Sequence, residues 1–108
     1  MTVNELAVRC GFTPISVTDG DREVIGAYCG DLLSWVMGRA KQDSAWITIM
    51  TNVNVAAVAS LSDVACVIIA ESAKPDEQLT AAAADKGINI LSSDRTVYET
   101  ALAVGNVI

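Results

Sequence analysis

The chain has 108 residues, of which 13 are acidic, 7 are basic and none is histidine, and its formal charge is −6. This length corresponds to one domain, so we expect a single domain over residues 1–108. An apolar fraction of 52% excludes a disordered chain. The acidic balance argues against nucleic acid as a partner, because phosphate binding needs clustered lysine and arginine.

The three cysteines indicate a reducing compartment. Cys10, Cys29 and Cys66 are odd in number and far apart, which argues against a disulfide framework or a thiolate metal site. Each has apolar neighbours, so we expect all three to be buried. The first residues lack the features of a signal peptide, and the most apolar stretch, residues 55–70, is too short and too polar to cross a membrane. We therefore expect a cytoplasmic protein that contacts no membrane.

The first half of the chain predicts two helices and two short strands. Thr2 and Glu5 have the spacing of a capping box, and apolar residues follow at helical intervals as far as the stop at Gly11. A helix is therefore expected over residues 3–10. Short strands are expected over residues 15–18 and 23–29, with a turn between them. A second helix is expected up to about residue 40, with Asp31 as its N-cap or first-turn acid.

The second half alternates strands with helices. Strands are expected over residues 46–50, 65–70 and 88–91, and helices over about 53–62, 76–86 and 96–104. Such alternation implies parallel strands joined by right-handed crossovers. The apolar run at residues 66–69 indicates a strand that is buried on both faces. The fold class predicted is α/β, a small layered domain whose mostly parallel sheet is flanked by helices on both faces.

Polar residues follow three of the predicted strands, at the edge where such sheets usually bind ligands. Helix N-termini and an arginine at this edge suit a phosphate or a carboxylate. Capping by Thr51 or Asn52, which needs no ligand, is a structural alternative, and so is a surface ion pair of Arg95 with Asp94 or Glu99. The candidate ligand-binding residues are Thr51, Asn52, Asn54, Glu71, Ser92, Ser93, Asp94 and Arg95.

A candidate interface lies on the second predicted helix. Asp31, Trp35 and Arg39 recur every four residues and form a stripe that faces away from the predicted core. An outward tryptophan beside an arginine has the composition of an interface hot spot, which indicates a homodimer contact. Alternatively, Trp35 packs on a loop of its own subunit. Tyr28 and Trp46 fit strand positions and are expected in the core.

Four segments of the chain resemble small proteins of the DRTGG-domain family, namely residues 26–37, 46–59, 74–77 and 87–92. Their order and spacing extend over nearly the whole chain, as in a stand-alone copy of the domain. Related modules occur beside phosphate acetyltransferase domains and in some CBS-domain pyrophosphatases, and are distantly similar to the N-terminal domain of HPr kinase/phosphorylase. The resemblance implies a regulatory or interaction module that often self-associates, and it implies no activity.

The expected function is that of a non-catalytic regulatory module, as a dimer, which senses a small anionic ligand such as a nucleotide or a phosphorylated metabolite, or docks on a partner enzyme. A kinase is not expected, because no glycine is followed by the lysine of a Walker A loop. No catalytic residue, metal or cofactor is predicted. The alternatives are an obligate accessory subunit without a ligand and a small enzyme that uses Asp94 and Arg95.

Overall fold

The chain has five helices and five strands in the computed structural model, which describes all residues from Met1 to Ile108. None of the helices is both long and apolar enough to cross a bilayer. In chain order the elements are α1 (Val3–Cys10), β1 (Thr13–Ser16), β2 (Gly26–Cys29), α2 (Leu33–Arg39), β3 (Ser44–Thr48), α3 (Asn54–Ser62), β4 (Cys66–Ile69), α4 (Glu77–Lys86), β5 (Ile90–Ser92) and α5 (Val97–Gly105).

The five strands form one sheet in the order β1-β5-β4-β3-β2. The strands β2 to β5 are parallel, and β1 is antiparallel to β5. The helices α2, α3 and α4 pack side by side on one face, and α1 and α5 cover the other. The predicted α/β class, with a mostly parallel sheet between helices, is confirmed.

Each face of the sheet has its own hydrophobic core, because the side chains of a strand alternate between the two faces. On β4, Cys66 and Ile68 belong to the core under α1 and α5, while Val67 and Ile69 belong to the core under α2–α4. All four are buried, as the unbroken apolar run predicted. Trp46 is also fully buried, as expected.

Several sequence-based boundaries differ from the structure. The strand β3 begins two residues earlier than expected, and β5 begins two residues later. The strand β1 begins at Thr13, because its register partner Ser92 lies at the end of β5. The strand β2 begins only at Gly26. The helix α2 has Leu32 as its N-cap, so Asp31 lies outside the helix and its predicted capping role is wrong. The Asp31 carboxylate instead accepts hydrogen bonds from the Thr48 hydroxyl, at 2.7 Å, and from the Ile49 N–H, at 3.0 Å.

Because β2 is an outer strand of the sheet, two of its residues are less buried than expected. Cys10 and Cys66 are buried as predicted, and burial raises the pKa of the Cys66 thiol to about 12. The prediction is wrong for Cys29, which is exposed. Tyr28 is only half-buried. Both residues belong to a strand that has a neighbour on one side alone, so part of each side chain stays uncovered.

Candidate functional site

The candidate site lies at the carboxyl edge of the sheet, by which we mean the ends of β2–β5 and the start of the antiparallel β1. A groove of about 420 Å³ opens there between β1, β5 and the segment that leads into α4. This volume is within the range of small-molecule sites, about 300–1,000 Å³. Four hydroxyls, one ammonium group, one carboxylate and two apolar side chains line it, from Thr13, Ile15, Ser72, Lys74, Pro75, Thr80, Ser92 and Asp94.

Strand pairing places the first of these residues. Thr13 and Ser92 are register partners on β1 and β5, and Pro14 is the partner of Leu91. Because partners share a face, Thr13 and Ser92 lie on the α4 side of the sheet while Leu91 enters the opposite core. Two hydroxyls from segments nearly eighty residues apart thus meet in one groove.

The turn after β4 brings the next hydroxyl to the groove. Glu71 and Ser72 both have left-handed backbones, with φ of 63° and 57°, a conformation that costs about 1–2 kcal/mol for a residue with a Cβ. Their N–H groups donate to the carbonyls of Arg95 and Ser93, at 2.8 and 3.1 Å. The Glu71 carboxylate accepts the N–H of Val97, at 2.8 Å. These bonds hold the turn in its strained conformation, which is a common feature of functional sites.

The hydroxyl of Ser72 donates to the Asp94 carboxylate, at 3.2 Å, and so links the turn after β4 to the turn after β5. The side chains of Thr13, Lys74 and Ser92 make no hydrogen bond within the protein. The groove therefore combines one oriented carboxylate with a free ammonium group and free hydroxyls. Such a set can bind a phosphate and accept hydrogen bonds from a sugar or an amino group.

Of the eight predicted ligand residues, only Ser92 and Asp94 line this groove. At the start of α3, the Asn52 side chain accepts the N–H of Asn54, at 2.9 Å. The carbonyls of Asn52 and Val53 accept the next two N–H groups, those of Val55 and Ala56, at 3.1 Å each. These amides of the helix start are thus occupied. The N-cap of α3 is Val53, without a side-chain capping bond, so the expected capping by Thr51 or Asn52 is not found. Thr51, Asn52 and Asn54 lie at the same edge but outside the groove.

Two further predicted residues face the other side of the sheet. Ser93 is buried, and its hydroxyl bonds to the hydroxyl of Thr100, at 2.8 Å. It therefore does not line the groove. The Arg95 guanidinium lies near Gly11, where an added Cβ would be 3.8 Å from Nη2. It makes no ion pair with Asp94 or Glu99.

Cys29 and Glu99 at the carboxyl edge have shifted pKa values, and neither lines the groove. Burial, and then the nearby Asp31 carboxylate, raise the pKa of Cys29. Hydrogen bonds from the backbone and the side chain of Thr96 lower the pKa of Glu99, which forms a capping box at the start of α5. Both pKa shifts therefore have local causes, at the end of β2 and at the start of α5.

Six groove residues were not predicted, of which Ile15 and Pro75 are apolar and four are polar, namely Thr13, Ser72, Lys74 and Thr80. The sequence held one usable signal, since Lys74 closely follows the apolar run of β4 and directly precedes Pro75. No sequence signal pointed to Thr13, because only the antiparallel pairing of β1 with β5 brings this residue to the carboxyl edge.

The predicted interface stripe is a pair and not a triad. Trp35 is 52% exposed, and the Arg39 guanidinium carbon lies 3.8 Å from the centroid of its ring. This geometry is a cation–π contact. Asp31 is turned to the end of β3 and does not join the two.

The chain matches no protein-family model and no curated protein. It is similar in fold to a crystal structure of the CBS and DRTGG domains of the regulatory region of a Clostridium perfringens pyrophosphatase, which was solved with its activator diadenosine tetraphosphate. The TM-score is 0.75 at 7% sequence identity, over 95% of this chain and 45% of that one. The chain thus spans less than half the length of this neighbour. At this identity the likeness shows the fold alone.

Proposed function

We propose that this protein is a non-catalytic regulatory module that binds a nucleotide or a related phosphorylated metabolite in the carboxyl-edge groove. The observation that carries the proposal is the combination of free Lys74, free hydroxyls and an oriented Asp94 carboxylate in one groove. The charge of the whole chain, −6, does not favour anions. A specific local arrangement is therefore needed, and Lys74 supplies its cation.

The groove suits the parts of a nucleotide better than it suits a simple anion. An ammonium group binds phosphate as a point charge, and hydroxyls add neutral donors. Asp94 would repel a bare phosphate but accepts hydrogen bonds from ribose hydroxyls or from an exocyclic amine. Ile15 and Pro75 offer apolar surface on which a base can lie. A ligand with both an anionic and a hydrogen-donating part fits this mixed lining.

Two further observations support the proposal. Open α/β sheets usually bind ligands outside the carboxyl ends of their strands, which is where this groove lies. The structural neighbour is part of a regulatory region and was solved with a dinucleotide activator. In our proposal the bound state of this module is read by a partner enzyme, and the strained turn at Glu71 and Ser72 couples the groove to the start of α5.

The proposal is tested by thermal shift and calorimetry with AMP, ATP, diadenosine tetraphosphate and inorganic phosphate. A ligand at one hundred times its Kd stabilises the fold by about 2.7 kcal/mol, which corresponds to about 10 °C in Tm for a domain of this size. We expect such a shift with at least one nucleotide. We expect Lys74→Ala to weaken its binding about tenfold, as for the loss of a charge-assisted bond.

The matched control is Lys86→Ala, which removes the same charge at the far end of α4. It should bind the nucleotide like the wild type. Asp94→Asn should weaken nucleotide binding without changing the Tm of the free protein by more than a few degrees, since the Asp94 side chain is exposed. The absence of any nucleotide shift, or equal binding by wild type and Lys74→Ala, would contradict the proposal.

Self-association is a separate part of the proposal. The exposed ring of Trp35 is the surface that we expect at the contact between two subunits. Light scattering should give the mass of a dimer for the wild type and of a monomer for Trp35→Ala, with unchanged circular dichroism. A monomeric wild type would contradict the proposed self-association and would not affect the proposal of a nucleotide site.

A further inference from the structure

A second groove, of about 300 Å³, follows the outer strand β2 on the side of the sheet opposite to β1. Residues 25–28 form one wall of this groove, and Arg39, Lys41 and Gln42 at the end of α2 contribute to the other. Nothing in the proposed nucleotide site involves this groove, since the two share no residue.

The β2 groove is positively charged in an acidic protein. The chain has 13 acidic residues and 7 basic ones, yet Arg39 and Lys41 both line this groove and no acidic side chain does. Neither forms an ion pair within the protein. The Arg39 guanidinium stacks on the Trp35 ring, at 3.8 Å, which restricts its orientation. The groove thus presents two cations that are free to bind carboxylates.

The wall formed by β2 is an unpaired strand edge. β2 pairs with β3 on one side and with no strand on the other. A Cβ added to Gly26 would meet no atom within 4 Å, so the face of the sheet above this residue is open. Edge strands of this kind hydrogen-bond to an added strand.

The two outer strands of the sheet differ in how they are protected. β1 contains Pro14, and its register with β5 shifts between Pro14 and Ser16, two features that block the addition of a further strand. β2 has the sequence Gly-Ala-Tyr-Cys, with no proline and no charge. The protein therefore blocks one edge of its sheet and leaves the other available.

We propose that the β2 edge binds an extended acidic segment of a partner protein, which adds to the sheet as a sixth strand with its carboxylates facing Arg39 and Lys41. Charge complementarity selects this occupant. A second copy of the chain fits less well, because its own β2 carries no acid and its approach would bring two further cations to the same place.

The test begins with selection from a phage-displayed library of random decapeptides, at low salt, against the full chain. The expected peptides are rich in aspartate or glutamate and in residues that favour strands. One selected peptide is then synthesised with blocked ends. It should bind the double variant Arg39→Gln/Lys41→Gln about tenfold more weakly than the wild type, as for the loss of two exposed charge-assisted bonds. Its affinity should also fall as salt rises.

The matched control is Arg9→Gln/Lys86→Gln, which removes one arginine and one lysine elsewhere and should bind like the wild type. Hydrogen exchange should show that the peptide protects the amides of residues 26–29. A peptide N-methylated at the alternate backbone nitrogens that face β2 should not bind, because these N–H groups would donate to the β2 carbonyls.

Three results would overturn the proposal. The first is selection without enrichment of acidic peptides, and the second is equal affinity for the wild type and the Arg39/Lys41 variant. The third is protection of residues 26–29 in a dimer without peptide, which would assign the edge to a second copy. None of these results bears on nucleotide binding, which Lys74→Ala reports.

Discussion

The two edges of the sheet use polar side chains in different ways. At the amino edge, by which we mean the starts of β2–β5 and the end of β1, two side chains tie together segments that are far apart in sequence. At the carboxyl edge, several polar side chains of the groove have no partner within the protein. The carboxyl edge also has side-chain bonds between distant segments, at Asp31 and Glu71, but only there do groove side chains remain free to bind.

Asn89 is the first of the amino-edge ties. It is buried directly before β5, and its carbonyl oxygen accepts the N–H groups of Thr18 and Asp19, at 3.0 Å each. Its amide nitrogen donates to the carbonyls of Asp19 and Ala65, at 2.8 and 3.0 Å. One side chain therefore joins the end of β1 to the starts of β4 and β5.

Arg22 is the second tie. Its guanidinium bonds to the Asp43 carboxylate, at 2.8 Å, and to the carbonyl and carboxylate of Asp63, at 2.6 and 2.9 Å. Both aspartates have left-handed backbones, with φ of 64° and 53°. Burial acts to lower the pKa of Arg22, but the bonds to Asp43 and Asp63 outweigh it and raise the pKa. The charge that holds these two strained positions is therefore permanent.

The largest effect is expected at Asn89. Asn89→Ala leaves four backbone groups without their partner, so we expect a loss of about 3–4 kcal/mol in the free energy of unfolding. Urea denaturation measures it. The exposed Asn106 provides the control, and Asn106→Ala should stay within about 0.5 kcal/mol of the wild type. A loss below about 1 kcal/mol for Asn89→Ala would remove the distinction between the two edges.

A smaller loss is expected for Arg22→Ala, about 2–3 kcal/mol, because the side chain is 24% exposed and water replaces part of its bonding. Arg9 is the control, since it is an exposed arginine at the end of α1 without an ion pair. Arg9→Ala should cost about 0.5 kcal/mol through the helix dipole. Equal losses in the free energy of unfolding for Arg22→Ala and Arg9→Ala would show that the bonds of Arg22 do not stabilise the amino edge.

The smallest effect concerns a feature that both edges share, the capping box. Thr2 and Glu5 begin α1 at the amino edge, and Thr96 and Glu99 begin α5 at the carboxyl edge. In each, the backbone hydrogen bond of the threonine lowers the glutamate pKa. The stabilisation is therefore present above the unfolded pKa, about 4.3, and is lost as the pH falls through the folded value.

Glutamine retains the hydrogen bond of a capping box but does not titrate. We therefore expect Glu5→Gln/Glu99→Gln to have nearly the wild-type Tm at neutral pH and a flatter decline of Tm between about pH 5 and pH 3. Circular dichroism melts at several pH values measure both. The two single variants should contribute alike, and a decline as steep as that of the wild type would contradict the assignment.

Local sequence signals predicted the elements well but only two of the eight residues that line the groove. The capping boxes and the glycine stops depend on residues within a few positions, so α1, α4 and α5 end close to their predicted bounds. The groove depends on Thr13 meeting Ser92 and on Ser72 meeting Asp94, which are contacts between distant segments. Asn89 reads in sequence as one polar residue within an apolar strand, and its four partners lie elsewhere in the chain.

The sequence by itself determined the α/β class, the helix starts and stops, and the burial of Trp46 and of β4, because hydrophobic periodicity and capping act over short stretches of chain. Only the tertiary structure decided that β1 pairs antiparallel beside β5 and that β2 is an outer strand. That strand order opens the carboxyl-edge groove, exposes Cys29 and frees the β2 edge. The physical reason is that strand order follows from how helices pack on the sheet, which no local pattern of residues encodes.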